Sequence, residues 1–468
     1  MSLDNIYVNG SQIGSTGTGC GDFSATSPVR IGLAVGTYYP FKGIIDEVKI
    51  YSRALTAAEV SMNYQEGLDR LALRGRWSFE EAGANIITHN GAITCPPDLN
   101  IHGAAWTNGM AGNALHFAGT SDYVDCGAGG ELNITNAITM EAWIKPEKIL
   151  SFYGGIIGRN AYGKRMLLSS GGNILVQMDG PQQATTTTPI TTNQWNYVVY
   201  TSDGSNSTIY VNGAAVSTGN CGANFSSTAS VRIGLAVGTN YPFKGIIDEV
   251  GLFARVLTPA EISARYNAKV LCGQWHFNEG TDTIAFDTSG NYNHSVIYGA
   301  TWTYQNPDYA LSFDGNDYVD CGAGSSLNIS DAITMEAWIK PQALSSSYGQ
   351  IVGRATWAYG KRMLLSASGN ILVQMDGPQQ MTTTSPVTTN QWNHVVYTSG
   401  GSNSAIYVNA AAVSFGNCGA DFRSTSPVYI GIGVASNYPF NGMIDEVNIY
   451  RKVFSASEVS ARYQAGRY

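Results

Sequence analysis

The stretch YPFKGIIDEVGLF, residues 241–253, decides the fold of this chain because the chain repeats it. Related copies begin at Tyr39 (YPFKGIIDEVKIY) and Tyr438 (YPFNGMIDEVNIY). Each copy has a Tyr-Pro-Phe corner and a glycine, then a short apolar strand that carries Asp-Glu, and then a helix start. A supersecondary unit that recurs in this way indicates a tandem array.

The start of the helix after each copy is specified by residue spacing. In the second and third copies a Thr or Ser stands three residues before a Glu, at Thr258–Glu261 and Ser455–Glu458. This is the spacing of a capping box, in which the hydroxyl and the carboxylate each accept a backbone N–H of the first helical turn. After the first copy, Thr56 stands three residues before a Glu in the same way.

Two further motifs give the length of the repeat. MEAWIKP recurs at Met140 and Met335, and TTNQW recurs at Thr191 and Thr388, so one unit is about 195–200 residues long. A unit of this length can bury its own core. We therefore predict three units: a partial one over 1–70, which matches only the last third of a unit, and full ones over 71–269 and 270–468.

Short apolar runs within a full unit alternate with Gly, Asn and Asp about every ten residues, which is typical of strands and turns. ITMEAWIKP, residues 138–146, places Met, Ala and Ile on one face and Glu, Trp and Lys on the other. The sequence therefore predicts an all-β fold of tandem antiparallel two-sheet jelly-roll sandwiches, each ending in one short capped α-helix.

The composition limits the possible partners. Only 13% of the 468 residues are charged, and the formal net charge is −8. This acidic balance argues against nucleic acid as a partner. No apolar run approaches the ~20 residues of a membrane-spanning helix, so no membrane insertion is predicted, and no signal peptide is visible.

Several motifs together resemble a known family. ALSFDGNDYVDCG, ITMEAWIKP, WNHVVYT, IYVN and GMIDEVNIYRKVFSASEVSARY, in this order and spacing, resemble the laminin G-like or pentraxin-like branch of the concanavalin A-like lectin and glucanase superfamily. The resemblance covers nearly the whole chain. It implies jelly-roll domains that are usually extracellular or on the cell surface and are often fused in series to adhesins or carbohydrate-active enzymes. It implies no single activity, because the fold hosts lectins, glycosidases and structural modules.

Catalysis is not predicted. Glucanases of the resembled superfamily place carboxylates together on one strand face as acid and nucleophile. The repeated acidic pair here is Asp248-Glu249, and adjacent residues of a strand point to opposite faces. These two carboxyl groups are therefore not expected to act on one glycosidic bond.

The aspartate of this pair is expected to project from the same face as Val250, in an otherwise apolar row. It accepts backbone N–H bonds, pairs with an arginine, or binds calcium, an ion that the resembled domains often hold between strands. Because Ala118 replaces Asp314, the last unit is expected to bind calcium better than the middle one. The predicted structural calcium ligands are Asp314, Asp317, Asp320 and Asp445 in the last unit, and Asp122, Asp125 and Asp248 in the middle unit.

The cysteines repeat with the units. Cys126 and Cys321 fall in DYVDCG, and Cys221 and Cys418 fall in GNCGA, so each full unit has one equivalent pair. This parity predicts one disulfide in each unit and an oxidising compartment, with two buried thiols in each unit as the alternative. The sequence assigns no pairing to Cys20, Cys95 or Cys272.

Ligand binding is predicted for loops that the two full units share almost unchanged, with recent duplication as the alternative explanation. Their planar donors and aromatic faces suit sugar hydroxyls and rings. The predicted ligand-binding residues are Tyr162, Arg165, Gln182, Gln183, Tyr241 and Phe243 in the middle unit, and Tyr359, Arg362, Gln379, Gln380, Tyr438 and Phe440 in the last unit.

Taken together, the sequence predicts a non-catalytic extracellular recognition or adhesion module, carbohydrate-binding, within a larger surface or secreted protein. Glycans or surface glycoproteins are the predicted partners. One alternative is a structural repeat of a surface filament, stalk or surface layer, in which neighbouring copies complete the partial first unit. The other is a set of accessory domains of a carbohydrate-active enzyme.

Overall fold

The structure is a computed structural model of the chain. It describes residues 4–16, 29–35, 38–45, 48–51, 54–55, 57–80, 86–87, 99–110, 112–161, 163–178, 183–305, 307–344, 346, 348–355, 360–375, 380–433 and 437–466. Among these residues, no helix combines the length and the apolar character needed to span a membrane.

The middle unit (residues 71–269) and the segment before it consist mainly of short strands. They are β1 (Asp4–Val8), β2 (Ser11–Thr16), β3 (Leu33–Val35), β4 (Tyr38–Pro40), β5 (Leu73–Trp77), β6 (Ile86–Ile87), β7 (Leu99–His102), β8 (Ala105–Asn108), β9 (Asn113–Ala118), β10 (Tyr123–Asp125), β11 (Ile138–Pro146), β12 (Gly154–Arg159), β13 (Arg165–Leu168), β14 (Ile174–Gln177), β15 (Gln183–Thr185), β16 (Asn196–Ser202), β17 (Ser207–Val211), β18 (Ala214–Gly219), β19 (Val231–Ile233), β20 (Leu235–Val237), β21 (Asn240–Pro242) and β22 (Lys244–Phe253). The α-helices are α1 (Ala57–Ala72) and α2 (Pro259–Val270), and a short 3-10 helix spans Gly130–Leu132.

The last unit (residues 270–468) repeats this order of elements. Its strands are β23 (Leu271–Trp275), β24 (Ile284–Ala285), β25 (Ser295–Tyr298), β26 (Thr301–Tyr304), β27 (Tyr309–Asp314), β28 (Tyr318–Asp320), β29 (Ile333–Pro341), β30 (Tyr348–Arg354), β31 (Arg362–Ser366), β32 (Ile371–Gln374), β33 (Gln380–Thr382), β34 (Asn393–Ser399), β35 (Ser404–Val408), β36 (Ala411–Gly416), β37 (Val428–Ile430) and β38 (Asn441–Tyr450). Helix α3 (Ala456–Ala465) closes the unit, and a 3-10 helix spans Ser325–Leu327.

Each full unit contains two eight-stranded antiparallel sheets. In the middle unit, the sheet β18-β17-β16-β11-β22-β9-β8, with β5 also paired to β22, is named the helix-side sheet. The sheet β15-β14-β13-β12-β19-β10-β7-β6 is named the open sheet. In the last unit, the helix-side sheet is β36-β35-β34-β29-β38-β27-β26, with β23 paired to β38, and the open sheet is β33-β32-β31-β30-β37-β28-β25-β24. The predicted all-β fold of tandem two-sheet sandwiches is confirmed.

The hydrophobic core of each full unit lies between its two sheets. In the middle unit, Met140 and Val198 of the helix-side sheet and Val124 and Met166 of the open sheet are fully buried in one cluster. Because side chains alternate along a strand, the residues between these project to the outer faces. The outer face of each sheet is therefore the place where a ligand could be contacted.

Helix α2 covers the outer face of the helix-side sheet. Trp143 of β11 stacks on Tyr266 of the helix, with ring centres 5.6 Å apart, in a second buried cluster. The predicted capping boxes at Thr258–Glu261 and Ser455–Glu458 are both present. Thr56, the predicted cap of the first helix, lies outside the described residues. The open sheet has no helix on it in the part of the chain that the structure describes.

A β-bulge at the Asp-Glu pair changes which residues of β22 face the core. The register of β22 against β11 shifts at this point, and Glu249 has a φ of 48°. Ile247 and Val250, three residues apart, consequently both lie in the core. Asp248 instead lies opposite Trp143, on the face that α2 covers. The prediction that Asp248 shares the face of Val250 is therefore wrong.

The predicted disulfides are not formed. The Sγ atom of Cys126 lies 4.0 Å from the carbonyl oxygen of Val124 on β10, whereas the Sγ atom of Cys221 donates to the carbonyl oxygen of Val176 on β14, at 3.4 Å. The two sulfur atoms thus contact different strands of the open sheet. This corrects the prediction of the pairs Cys126–Cys221 and Cys321–Cys418 in favour of buried thiols. The described cysteines, all buried thiols, are Cys126, Cys221, Cys272, Cys321 and Cys418.

The segment before the middle unit retains local features of the last third of a unit. Strands β1 and β2 form a hairpin, and Tyr64 of α1 packs against Gly10 as Tyr266 packs against Gly213. Its apolar residues are exposed where their counterparts form a core. Ile6, for example, is 51% exposed, whereas the equivalent Ile209 is completely buried.

The two full units follow each other without a linker and contact each other directly. Helix α2 ends at Val270, and β23 begins at the next residue. Lys145 of the middle unit forms an ion pair with Asp331 of the last unit. The ammonium group of Lys452 lies 5.0 Å from the centre of the Tyr266 ring. These contacts hold the adjoining faces of the two units together.

Candidate functional site

A row of side chains crosses the outer face of the open sheet in the middle unit. Neighbouring strands are paired so that one residue from each of seven strands falls in the row. These residues are Asn100, Asp125, Arg232, Gly158, Arg165, Gln177 and Gln183, in this order. Val124 and Met166, each adjacent in sequence to a member of the row, point into the core, so the row faces away from it. We name it the outer row.

The last unit has the same row at equivalent positions. It consists of Val296, Asp320, Tyr429, Gly353, Arg362, Gln374 and Gln380. In both units the middle of the row is a glycine, and a Cβ there would lie within 2.5 Å of the Cβ of Arg165 or Arg362, so the two strands approach too closely for a larger residue. The outer row brings together four of the predicted ligand-binding residues, namely Arg165, Gln183, Arg362 and Gln380. It also contains Asp125 and Asp320, which were predicted as calcium ligands.

An arginine near the centre of each row is held by a tyrosine of the Tyr-Pro-Phe corner. In the middle unit, the guanidinium carbon of Arg165 lies 5.1 Å from the centre of the Tyr241 ring, and its Nε donates to Gln177 Oε1 at 2.8 Å. Tyr153 also contacts Tyr241, edge to face, with ring centres 5.5 Å apart. Tyr241 has a φ of 63°, a strained value for a residue other than glycine. The corner is thus fixed over the row.

The last unit repeats this arrangement with one difference. The guanidinium carbon of Arg362 lies 4.9 Å from the Tyr438 ring centre, and Tyr438 has a φ of 59°. Gln374 donates to Gln380 at 3.3 Å. Within the described residues, Nε and Nη1 of Arg362 have no hydrogen-bond acceptor, although the side chain is almost fully buried. Burial lowers the pKa of Arg362, and the nearby Tyr438 opposes this effect.

The remaining predicted ligand-binding residues do not join the outer row. Phe243 and Phe440 are each 1% exposed and lie in the hydrophobic cores, so their prediction as ligand contacts is corrected. The reason is the Tyr-Pro-Phe corner itself, which turns the tyrosine outward and the phenylalanine inward. Outside the described residues lie Tyr162, Gln182, Tyr359 and Gln379, and likewise Cys20 and Cys95.

In the last unit, Tyr429 of the outer row and two neighbouring tyrosines stack on one another. The rings of Tyr298 and Tyr318 are stacked with centres 4.6 Å apart, and Tyr318 and Tyr429 are tilted with centres 5.0 Å apart. Tyr298 is 45% exposed, and the other two are half-buried. Burial, followed by the neighbouring Tyr298 and Asp320, raises the pKa of Tyr318, so its hydroxyl is neutral in ordinary buffers. We name these residues the tyrosine stack.

The middle unit has a related stack of different composition. His102 and Tyr123 are stacked with ring centres 4.3 Å apart, and the guanidinium carbon of Arg232 lies 4.2 Å from the centre of Tyr123. Arg232 Nη1 donates to the carbonyl oxygen of Gly238 at 3.1 Å, and its Nε lies 3.7 Å from a carboxylate oxygen of Asp125. A pocket of about 560 Å³ adjoins this stack. Both full units therefore present a planar, partly exposed surface at the same place.

The stacks are not predicted from the sequence, although the repeated motif DYVDCG contains the central tyrosine of each stack. Tyr123 and Tyr318 stand two residues before an aspartate of the outer row and alternate with a buried valine, which predicts that they face outward. The partners His102 and Tyr298 lie on strands whose sequences, LNIH and SVIY, share no repeated motif. Their position beside the tyrosines depends on strand pairing that the sequence does not display.

Comparison with known families matches the chain to one of them. A laminin G-like model described as concanavalin A-like lectin/glucanases superfamily matches residues 5–61, 118–263 and 313–460. The chain belongs to this superfamily. The resemblance drawn from the repeated motifs is thereby confirmed. Comparison with curated proteins gives no match for the chain.

Comparison with solved structures gives matches of low similarity. Domain 4 of AbnA, an extracellular GH43 arabinanase from Geobacillus stearothermophilus in complex with arabinotriose, is 18% identical, with 41% of this chain and 97% of that chain covered and a TM-score of 0.37. The binding domain of Paraclostridial Mosquitocidal Protein 1 is 10% identical, with 74% and 92% covered and a TM-score of 0.41. A heptameric SAP-like pentraxin from Limulus polyphemus is 17% identical, with 33% and 81% covered and a TM-score of 0.27. Likenesses of this size say nothing about function.

The description of the superfamily includes glucanases, which use carboxyl groups in catalysis, so the partners of the acidic residues bear on this possibility. Asp248 is fully buried and accepts the backbone N–H groups of Met110, at 2.8 Å, and Glu249, at 2.7 Å. Burial, followed by the adjacent Glu249, raises its pKa well above the usual range. Burial also acts to raise the pKa of Glu249, but Lys269 at 2.6 Å and Arg76 at 3.0 Å outweigh it and lower the pKa. Asp248 thus accepts hydrogen bonds from the backbone, and Glu249 forms ion pairs with Lys269 and Arg76.

The glutamates of the MEAWIKP motif are also engaged in the fold. Glu141 accepts hydrogen bonds from the Tyr197 hydroxyl at 2.5 Å and from Arg265 at 3.2 Å. Glu336 accepts from Arg462 at 2.5 and 2.8 Å, and its pKa is raised by burial against the effect of that arginine. Both glutamates lie under the helix of their unit, away from the outer row.

The aspartates predicted to bind calcium do not form one ligand set. Asp122 and Asp317 each accept a backbone N–H within their own turn, from Ala118 at 2.6 Å and from Asp314 at 2.7 Å. Asp125 and Asp320 lie on the outer rows of the open sheets. Asp248 and Asp445 lie on β22 and β38 of the helix-side sheets. In the described ranges, no three His, Cys, Asp or Glu side chains are grouped as a metal site. These residues therefore do not fit the calcium site that was predicted, and calcium binding by the chain stays a prediction.

Proposed function

We propose that this chain is a non-catalytic glycan-recognition module that acts outside the cell, within a larger surface or secreted protein. The observation that carries the proposal is the pair of stacks beside the outer rows. A partly exposed aromatic surface recurs at the same place in both full units, next to a line of polar side chains.

The chemistry of this face suits sugars. A pyranose ring packs its C–H groups against the face of an aromatic ring, and its hydroxyl groups need planar donors and acceptors around it. The exposed outer members of the stacks, Tyr298 and His102, supply the ring faces, and the central tyrosines on which they stack hold them in place. Asp320, Gln374 and Gln380 supply acceptors and donors along the outer row of the last unit.

The same face argues for binding without hydrolysis. A glycosidase needs two carboxyl groups on opposite sides of the scissile bond, roughly 5–10 Å apart. The outer row of each unit contains one carboxylate, Asp125 or Asp320. The other acidic residues of the repeated motifs are occupied by backbone N–H groups or cations on the other sheet, as described above.

The test is a glycan array probed with the full chain. The variant Tyr123→Ala/Tyr318→Ala removes the central ring of both stacks, and Phe415→Ala removes a 74% exposed ring from the edge of the helix-side sheet as the matched control. We expect the double variant to lose at least tenfold in affinity for the bound glycans, which corresponds to ~1.4 kcal/mol, and the control to bind as the wild type does. A wild-type chain that binds no glycan, or a double variant that binds as well as the wild type, would refute the proposal.

A second candidate is a structural role as a rigid repeat. It is favoured by the junction of the two full units, where α2 continues directly into β23 and Lys145 pairs with Asp331. A protein built for this role is expected to assemble through the exposed apolar residues of its first segment. Measurement of the mass in solution over a range of concentrations tests this, and a monomer at every concentration contradicts assembly.

A further inference from the structure

A cleft lies at the junction of the two full units, and no residue of either outer row is among those that line it. Its volume is about 620 Å³, and its wall comes from both units. The middle unit contributes Asn108 and Trp195, and the last unit contributes Asp331, Asp421, Arg423 and Arg451. The cleft exists only because the two units are placed side by side.

The charged residues of this wall are absent from the equivalent positions of the middle unit. The two units are otherwise nearly identical along these segments, NITNAITMEAW against NISDAITMEAW and GANFSSTASV against GADFRSTSPV. Asp331, Asp421, Arg423 and Arg451 correspond to Asn136, Asn224, Ser226 and Ala254, in this order. The last unit has therefore acquired four charges where it faces its neighbour.

These charges are held in fixed positions. Asp421 receives two parallel hydrogen bonds from Arg423, at 3.0 Å each, and lies 3.1 Å from Lys361. Burial acts to raise the pKa of Asp421, but these two cations outweigh it and lower the pKa to about 2. Arg451 donates to the carbonyl oxygen of Ser326 at 3.3 Å. Nε and Nη2 of Arg423 are used by Asp421, and a ligand carboxylate would meet guanidinium groups that are already ordered.

The wall of the cleft contains two aspartates and two arginines, so its own formal charge is zero, and further charged groups stand behind it. Both aspartates of the wall have a lysine beside them, Lys145 at Asp331 and Lys361 at Asp421. The side chain of Glu80 also approaches the wall at Gly112. Four cations thus stand against three acids, in a chain whose formal net charge is −8. Anions are favoured at this place over the rest of the surface.

We infer that the junction cleft is a second carbohydrate site, which binds an acidic oligosaccharide with its carboxylate on Arg423 and Arg451 and a sugar ring on Trp195. The half-buried Trp195 supplies the aromatic face, and Asn108 and the serines of the wall supply groups for hydroxyls. The site goes beyond the proposed function because it uses neither the outer rows nor the stacks. It also requires both units, so a single unit does not contain it.

The variants that test the site take their residues from the chain itself. The double variant Arg423→Ser/Arg451→Ala replaces each arginine with the residue that the middle unit has at the equivalent position, Ser226 or Ala254. The same fold therefore already accommodates both replacements. Trp195→Ala removes the aromatic face, and Trp392→Ala, at the equivalent position of the last unit and outside the wall, is its control. Tyr318→Ala reports on the outer face alone.

The measurement is calorimetric titration of the full chain with tetramers of galacturonate, glucuronate and mannuronate, and with the same tetramers after reduction of their carboxyl groups. We expect at least one acid tetramer to bind, and its reduced form to bind at least tenfold more weakly. Arg423→Ser/Arg451→Ala and Trp195→Ala are each expected to weaken the acid tetramer at least tenfold, while Trp392→Ala and Tyr318→Ala leave it unchanged. The inference is overturned if no acid tetramer binds the wild type, or if binding survives in the arginine variant. Loss of binding in Tyr318→Ala instead would assign the acid sugar to the outer face and likewise overturn it.

Discussion

The guanidinium carbon of Arg232 lies 4.2 Å from the centre of the Tyr123 ring, at the position where Tyr429 lies against Tyr318 in the last unit. Two repeats that otherwise share whole motifs thus present different surfaces, one with a cation on its central tyrosine and one with a third ring. A cation over an aromatic face contributes ~0.5–1 kcal/mol at an exposed site but occupies the face that a sugar would use.

The first prediction follows from this difference. In a Tyr318→Ala background, where the stack of the last unit is disrupted, Arg232→Tyr is expected to raise the affinity of the middle unit for neutral oligosaccharides about three- to tenfold, ~0.6–1.4 kcal/mol. The reason is that a third ring extends the apolar platform. Titration with the neutral glycans found on the array gives the affinities.

The control for the swap is the reciprocal change Tyr429→Arg in a Tyr123→Ala background, which is expected to lower the affinity. Both substitutions insert a residue that the other repeat already accommodates. Equal affinities in all four proteins would show that the third member of the stack does not contact the glycan.

A buried arginine in each unit leads to the second prediction. Arg159 is fully buried, and its donors reach the carbonyl oxygens of Phe225 at 2.9 Å, Ala229 at 3.0 Å and Leu132 at 2.6 Å. Burial lowers its pKa to about 10, so it remains charged at neutral pH. Lysine cannot reach all of these acceptors, and each buried carbonyl without a donor costs ~1–3 kcal/mol. Arg159→Lys is expected to lower the free energy of unfolding by about 2–4 kcal/mol.

Denaturant unfolding followed by tryptophan fluorescence measures this loss. Arg423→Lys is the matched control, since the Arg423 side chain is 55% exposed and an exposed ion pair contributes ~0–1 kcal/mol. If Arg159→Lys unfolds at the same denaturant concentration as the control, the hydrogen bonds of the buried guanidinium do not stabilise the loops that they join.

The repeated motifs allowed the fold and the helix starts to be predicted, because those features depend on residues close in sequence. Thr258 and Glu261 are three residues apart, and their capping box is determined by that spacing. The face of Asp248 depends instead on an extra residue in β22, and nothing in the motif IIDEV marks a bulge. The predicted face follows from strict alternation of side chains along a strand, and the left-handed Glu249 interrupts that alternation.

The candidate site was only partly predictable for a related reason. Arg165 and Gln183 were selected because they are repeated, and strand pairing does place them on one row. Arg232 cannot be predicted from repetition because tyrosine replaces it in the other unit, whereas Tyr123 is repeated as Tyr318 but its stacking partner His102 is not repeated. The junction cleft, too, is formed by the residues in which the repeats differ. In this chain, the positions that are identical in the two units mostly form the shared fold. The positions that differ between the units give each unit its own surface.

The third prediction concerns the cysteines. Burial raises the pKa of Cys272 and of Cys321, which disfavours the reactive thiolate. Iodoacetamide is therefore expected to leave the cysteines of the described residues unmodified in the folded protein. After unfolding without reductant, mass spectrometry should find Cys126, Cys221, Cys321 and Cys418 alkylated. If Cys126 and Cys221 are alkylated only after a reductant is added, the disulfide predicted from the sequence is formed between them.

The last prediction separates a backbone role from a calcium role for Asp317. Its Oδ2 accepts the N–H of Asp314, and in the middle unit Asp122 makes the same bond to the N–H of Ala118, a residue without a side-chain oxygen. The bond therefore closes the turn in both units, whether or not the neighbouring side chain could bind a metal. Asp317→Asn places the poorer amide oxygen or a second donor at this N–H, and is expected to cost ~1–3 kcal/mol of unfolding free energy.

Because the carboxylate is already used by the backbone, we expect this loss to be the same in excess CaCl2 and in EDTA, and equal for Asp122→Asn. Thermal unfolding in the two buffers measures both losses. If calcium raises the melting temperature of the wild type, and Asp317→Asn abolishes that rise while Asp122→Asn does not, the last unit binds calcium through this turn and Asp314 contributes its side chain. The contrast between Asp314 and Ala118 is then the ligand difference that made the last unit the expected calcium site.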